Sequence, residues 1–186
     1  MGPRHAQVRP PVRLLHSLSW NPSDASMTVY CDACPKGMGF WFPATNTAHY
    51  SEVPPHTPPL IYYVEALCIL SAINFCCKIM SPHQRLLIYT DNMNVVDIFS
   101  SLRCLPNFNA LLKEAVAMRV AASIDVCILH VLGEQNAIAD AVSRALFNNA
   151  KSTSPFLTIN NFTPPLLTTR TNISTPPQSM LGTAKK

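Results

Sequence analysis

Asp125-Val-Cys-Ile-Leu-His130-Val-Leu-Gly133-Glu-Gln-Asn136-Ala-Ile-Ala-Asp140-Ala-Val-Ser143-Arg144 is the stretch on which the fold turns. Residues 125–131 form a short β-branched and aliphatic run, which reads as a strand. Gly133 turns the chain, and Asn136 is a plausible N-cap for a helix running to about Phe147. On that helix Ile138, Val142 and Ala145 share one stripe at about 100° per residue, and Asp140 falls on the opposite side.

The same alternation of strand and helix extends upstream. Arg85-Leu-Leu-Ile-Tyr-Thr90 reads as a central strand ending at Asp91. Residues 92–102 carry an apolar helical face of Val95, Val96, Ile98 and Phe99, and Pro106 separates them from a second helix over 107–122. Residues 60–77 form the most apolar stretch, interrupted by Glu65, Ser71 and Asn74. Its length approaches that of a membrane span, but a carboxylate at mid-span costs roughly 3 kcal/mol, so a buried helix is the reading. The proline-rich segment 54–59 before it is a loop. Met27-Thr-Val-Tyr-Cys-Asp-Ala33 reads as a strand, residues 35–39 as a turn, and 40–42 and 45–50 as two further strands of a meander. The order is three strands, helix, strand, helices, strand, helix. It describes an α/β domain over residues 27–149, with a five-stranded mixed sheet (an antiparallel meander plus parallel strands) flanked by helices. Residues 1–26 read as a proline-interrupted lead-in, and residues 150–186 as a Ser/Thr/Pro-rich tail or linker.

Composition bounds the function classes. The 186 residues are 48% hydrophobic and only 13% charged, with net charge +4. Seventeen prolines against five glycines argue against a helical bundle throughout. Divided by position, residues 27–149 hold seven Lys and Arg against nine acids, a net −2, while the flanks carry +6. The basic excess therefore belongs to the flanks. Seven cysteines, an odd number, with a basic and proline-broken N-terminus, fit packed free thiols in a reducing compartment, the cytosol or nucleus, and not secretion.

Four acids sit where core logic does not want them: Asp32 in a strand, Glu65 in an apolar helix, Asp91 at the end of a buried strand, and Asp140 in the last helix. A buried carboxylate needs a cation, and this middle region has few. Several carboxylates with water suit magnesium or manganese, and two such ions about 4 Å apart can support phosphoryl transfer to water. Taken singly, three of the four have a plainer role, and Glu65 is the hardest to explain that way. Asp140 and Arg144 stand i, i+4 and suit a salt bridge; Asp91 suits a helix cap; Asp32 suits a turn before Pro35.

The pieces Val29-Tyr-Cys-Asp32-Ala-Cys-Pro-Lys-Gly37-Met-Gly39, Tyr63-Val-Glu65-Ala-Leu67, Tyr89-Thr-Asp91-Asn92 and the 130–144 block together resemble the ribonuclease H domain of retrotransposon reverse-transcriptase polyproteins, of type 1 ribonuclease H fold. The resemblance covers roughly residues 27–147. It implies hydrolysis of the RNA strand of RNA–DNA hybrids, with Asp32, Glu65, Asp91 and Asp140 holding two Mg2+ (or Mn2+) ions and His130 assisting metal or product exchange. Ala33, Gly37 and Gly39 would lie against the RNA strand, the glycines permitting close backbone approach, while Asn92 and Asn136 would contact substrate or cap helices. A neighbouring reverse transcriptase is the implied partner, and no membrane is. Cys34 and Leu132 depart from the family pattern, and no Tyr-x-Asp-Asp polymerase motif is present. The alternatives are an inactive tether beside a polymerase, or another phosphodiester-processing enzyme of the same fold.

Overall fold

In Met27–Ala33 (β1) the side chains alternate across the sheet. Val29, Cys31 and Ala33 are buried on one face, and Tyr30 and Asp32 point to the other. The structure, a computed structural model, describes residues 20–167. β1 pairs antiparallel with Gly37–Phe42 (β2), which pairs antiparallel with Thr47–Glu52 (β3). The helix Ile61–Ile79 (α1) crosses the first face and leads to Arg85–Thr90 (β4), parallel to β1. Met93–Ser101 (α2) and Asn109–Ala122 (α3) precede Asp125–His130 (β5), parallel to β4. Ala137–Ser143 (α4) and Phe147–Thr153 (α5) follow, then Thr158–Asn161 (β6), parallel to β3. The sheet order is β5-β4-β1-β2-β3-β6.

The main core lies between α1 and the first sheet face. Val29, Cys31, Met38, Phe40, Leu86 and Ile88 meet Val64, Leu67, Ile69 and Ile73, and α3 closes it through Leu111 and Ala115. Among the described residues α1 is the one helix long and apolar enough to cross a membrane. It is packed as the central core helix, against β1, β2 and α3. A smaller cluster of Ala48, Ile138, Ala141, Val142, Ala150 and Leu157 holds α4 and α5 to the other face.

The mixed α/β architecture is the one expected, with differences in detail. Among the described residues the sheet has six strands and not five. Thr158-Ile-Asn-Asn161 is polar and shows no buried alternation. It joins through backbone pairing with β3, anchored by the buried Leu157 before it and by Phe162, whose ring packs tilted against Phe40 at 4.7 Å, after it. The boundary expected at 149/150 consequently falls inside α5. The last helix is two pieces, because the chain turns at Ala145 (φ 56°) between α4 and α5. Gly37 and Gly39 belong to β2; the turn is confined to Pro35 and Lys36, closed by the Cys34 amide donating to the Gly37 carbonyl. The expected lead-in at 1–19 and tail at 168–186 lie outside the described residues. Within 20–26 the chain makes a short 3-10 turn, capped by Asn21, and Trp20 sits over the Arg85 guanidinium at 5.6 Å.

Candidate active site

The site follows from the register of two parallel strands. Tyr30 of β1 is aligned with Tyr89 of β4. Extending that register by two residues sets Asp32 beside Asp91, at the carboxyl ends of neighbouring strands about 5 Å apart. Glu65 reaches the same end of the sheet from the second turn of α1. One oxygen from each of Asp32, Glu65 and Asp91 lies within 4.8 Å of the others.

Two of these carboxyls are out of water, and Asp91 is half-buried. Asp32 is 4% exposed and Glu65 5%. Burial, reinforced by Asp32 and Asp91, pushes Glu65 up to about 9, against the opposing pull of the Ala33 backbone and the Asn92 side chain. Burial also raises Asp32 to about 7; the Ser143 hydroxyl and Arg144 act against it, and the charges of Asp91 and Asp140 act with it. Oε2 of Glu65 is buried without a hydrogen-bond partner. An orphaned buried carboxylate oxygen, facing two other carboxylates, is an arrangement that a hard divalent cation would complete.

Asp140 is not part of this trio. Its Oδ1 accepts from Nε of Arg144 at 2.6 Å, the i, i+4 pair that the helix spacing allowed. It stands close enough for its charge to raise Asp32. The structure thus brings three of the four expected ligands together and holds the fourth on the adjoining helix, paired with an arginine.

The other expected site residues divide. His130 is exposed at the end of β5, opposite Thr90. Asn92 caps α2, its Oδ1 accepting from the Val95 amide at 3.3 Å. The residues expected along the substrate, however, face protein. Asn136 is buried, donates through Nδ2 to the Cys31 carbonyl at 3.0 Å, and makes no side-chain cap. It ties the loop before α4 to β1. Ala33 is buried against the core. A Cβ on Gly37 would stand 2.3 Å from the Ser143 carbonyl oxygen, and one on Gly39 would stand 2.7 Å from the Ser143 amide nitrogen. The backbone that approaches these glycines closely is that of α4.

One residue of the site escaped the sequence reading. Ser143 is fully buried, and its hydroxyl lies 2.5 Å from Oδ2 of Asp32 and 2.9 Å from the carbonyl oxygen of Asp140. When Asp32 keeps its proton, it can donate to the hydroxyl, which donates on to the Asp140 carbonyl; when Asp32 ionises, the hydroxyl turns back to it. The available signal was a small polar residue three positions after Asp140, closing an apolar run. Beside the site opens a cleft of about 1080 Å3 walled by Cys34, Lys36, Tyr50, Leu60 and Arg144.

A mixed sheet with one long helix on one face, and acids gathered at the carboxyl ends of β1 and β4, defines a ribonuclease H-like fold. Solved structures agree with this. Ribonuclease H1 of the archaeon Halobacterium salinarum superposes with TM-score 0.52 at 14% identity, over 67% of this chain and 98% of that one. LC11 ribonuclease H1, solved in complex with an RNA/DNA hybrid, gives 0.51 at 13%, over 64% and 99%. The N-terminal ribonuclease H domain of a Mycobacterium tuberculosis protein gives 0.50 at 14%, over 69% and 99%. No protein-family model and no curated protein matches the sequence.

Proposed function

We propose that the protein is a metal-dependent endonuclease that hydrolyses the RNA strand of RNA–DNA hybrids, working beside a reverse transcriptase in a retrotransposon polyprotein or its remnant, in a reducing intracellular compartment. The observation that carries the reading is the Asp32–Glu65–Asp91 cluster, two buried carboxylates and one half-buried one within 4.8 Å in a ribonuclease H-like fold. The hybrid bound to LC11 ribonuclease H1 supports the substrate class.

Asp32, Glu65 and Asp91 would hold a Mg2+ or Mn2+ ion, and Asp140, once parted from Arg144, would be available to a second. Such ions supply a water nucleophile at neutral pH and stabilise charge on the leaving oxygen. The chain's own residues do the rest. Glu65 and Asp32 offer ligands on rigid elements with little freedom to lose. Lys36 and Arg144, at the rim of the cleft, are positioned to attract a phosphodiester backbone despite the domain's net acidity. His130, exposed one strand away from Asp91, would assist metal or product exchange.

Incubating the folded chain with a labelled hybrid and Mg2+ tests the reading: internal cuts in the RNA strand are expected, and absence of cutting by demonstrably folded protein overturns it. Asp91→Asn should reduce cutting by about 10²-fold or more while circular dichroism and melting stay close to the parent. Unchanged cutting would remove Asp91 from the site. The Asp140–Arg144 pair outside the trio favours a second reading, a tether that no longer cuts. A tether would show no carboxylate-dependent heat on Mg2+ titration.

A further inference from the structure

Ser143 sits where three independent constraints on α4 meet. Its hydroxyl lies 2.5 Å from Oδ2 of Asp32. Its carbonyl oxygen accepts from the Cys34 thiol at 3.2 Å, and the space under it is kept by Gly37. Its amide nitrogen rests over Gly39. All of these contacts are buried, and they join residues that lie about a hundred positions apart in sequence.

We propose that Ser143 is the positioning residue of the metal site: it fixes the plane of the Asp32 carboxylate from behind and sets the separation between Asp140 and the Asp32–Glu65–Asp91 cluster.

Two features of Ser143 give it this role. A carboxylate on a short side chain can rotate about its last bond, and rotation of Asp32 changes which oxygen faces Glu65 and Asp91. A buried hydroxyl at hydrogen-bond distance from one oxygen restricts that rotation, as partners behind a metal ligand commonly do. Second, the hydroxyl also lies 2.9 Å from the carbonyl of Asp140, so one side chain touches a ligand of the cluster and the backbone of the candidate fourth ligand. No other described side chain makes hydrogen bonds to both. The two glycines let α4 descend far enough for this contact. With bulkier residues at 37 or 39 the helix would ride higher and the hydroxyl would leave Asp32.

The inference rests on the metal-site reading given above, and the experiment separates the two. Titration calorimetry with Mg2+ and Mn2+ on the full chain, well below its melting temperature, compares the parent with Ser143→Ala and Ser143→Thr. Ser143→Ala is expected to bind metal about 10- to 100-fold more weakly and to need correspondingly more Mg2+ for half-maximal cutting, with a smaller change in the rate at saturating metal. Ser143→Thr, which keeps the hydroxyl, should recover part of the affinity. A merely structural role would lower the melting temperature in EDTA and leave metal affinity untouched. Parent-like affinity in folded Ser143→Ala therefore overturns the inference and leaves the metal site standing. If the parent itself takes up no metal, the metal-site reading falls, and the inference with it.

Discussion

Glu65 concentrates the chemistry of the site in a single side chain. It is the one acid on a helix otherwise given over to the core, one of its oxygens has no partner, and two further acids face it. Nothing in the packing of α1 asks for a carboxylate; a neutral residue of similar shape would serve the fold better. Glu65→Gln should consequently raise the metal-free melting temperature at about pH 8, by roughly 2–4 °C for each kcal/mol gained, and should remove the stabilisation that Mg2+ gives the parent. Differential scanning calorimetry in EDTA and then in Mg2+ checks both halves. A variant that melts lower than the parent in EDTA would mean that Glu65 is held by interactions worth more than its burial costs. Glu65, Asp32 and Asp91 were legible in the sequence for this same reason, since an acid amid apolar neighbours is conspicuous. Asp140 was legible as a position but not as a contact: the spacing to Arg144 allowed a salt bridge, and the folded chain forms it.

Among the elements, α4 matters most to the site and was the hardest to read. Strands β1 and β4 and the long helix α1 announce themselves through composition and length, because each buries an apolar face, and β5 does so through its aliphatic run although only Ile128 of it is fully buried. α4 is two turns long, and its docking is determined by small residues on β2 about a hundred positions earlier. No local pattern shows that Gly37 and Gly39 are kept for a helix; next to a turn they invite a reading as turn or substrate-contact residues. β6 was missed for a related reason, since a polar edge strand that contributes backbone pairing leaves no period-two signal. Gly39→Ala places a methyl 2.7 Å from the Ser143 nitrogen and 2.8 Å from Cγ1 of Val142, contacts that α4 can relieve only by lifting. Its φ is not in the left-handed region, so the penalty is one of packing. A loss of about 1–3 kcal/mol is expected, read by chemical denaturation, together with weakened Mg2+ binding as Ser143 draws away from Asp32. Gly133→Ala is the control for stability, because its added methyl meets nothing closer than 3.5 Å. Equal stability of both variants would show that α4 does not bear on β2 as closely as described.

For the molecule as a whole, the distribution of charge becomes a dependence of stability on pH. The basic excess lies in the flanks, leaving a slightly acidic domain with three carboxylates gathered at one end of its sheet, two of them buried. Asp32 and Glu65 hold their protons more tightly in the folded chain, to about 7 and about 9, than in the unfolded chain, where they titrate near 4. Between those limits the folded state binds more protons, so what these groups contribute is fully present below about pH 4 and is lost as the pH climbs through their folded values. His49 acts from the other side. Buried among Phe40, Phe42 and Phe75, its imidazole is held below its ordinary value, so its contribution is present above about pH 6.5 and is lost as the pH falls. Metal-free protein should therefore be most stable in mildly acidic solution and lose several degrees of melting temperature between about pH 6 and about pH 9. A divalent cation binds the ionised carboxylates, so its stabilisation should grow over the same interval and flatten or reverse the slope. Melting curves across that range in EDTA, in Mg2+ and in matched monovalent salt separate ion binding from general screening. A slope in EDTA that rises with pH would mean that these carboxyls are not protonated in the metal-free fold, and one that Mg2+ leaves unchanged would mean that they are not gathered to receive an ion.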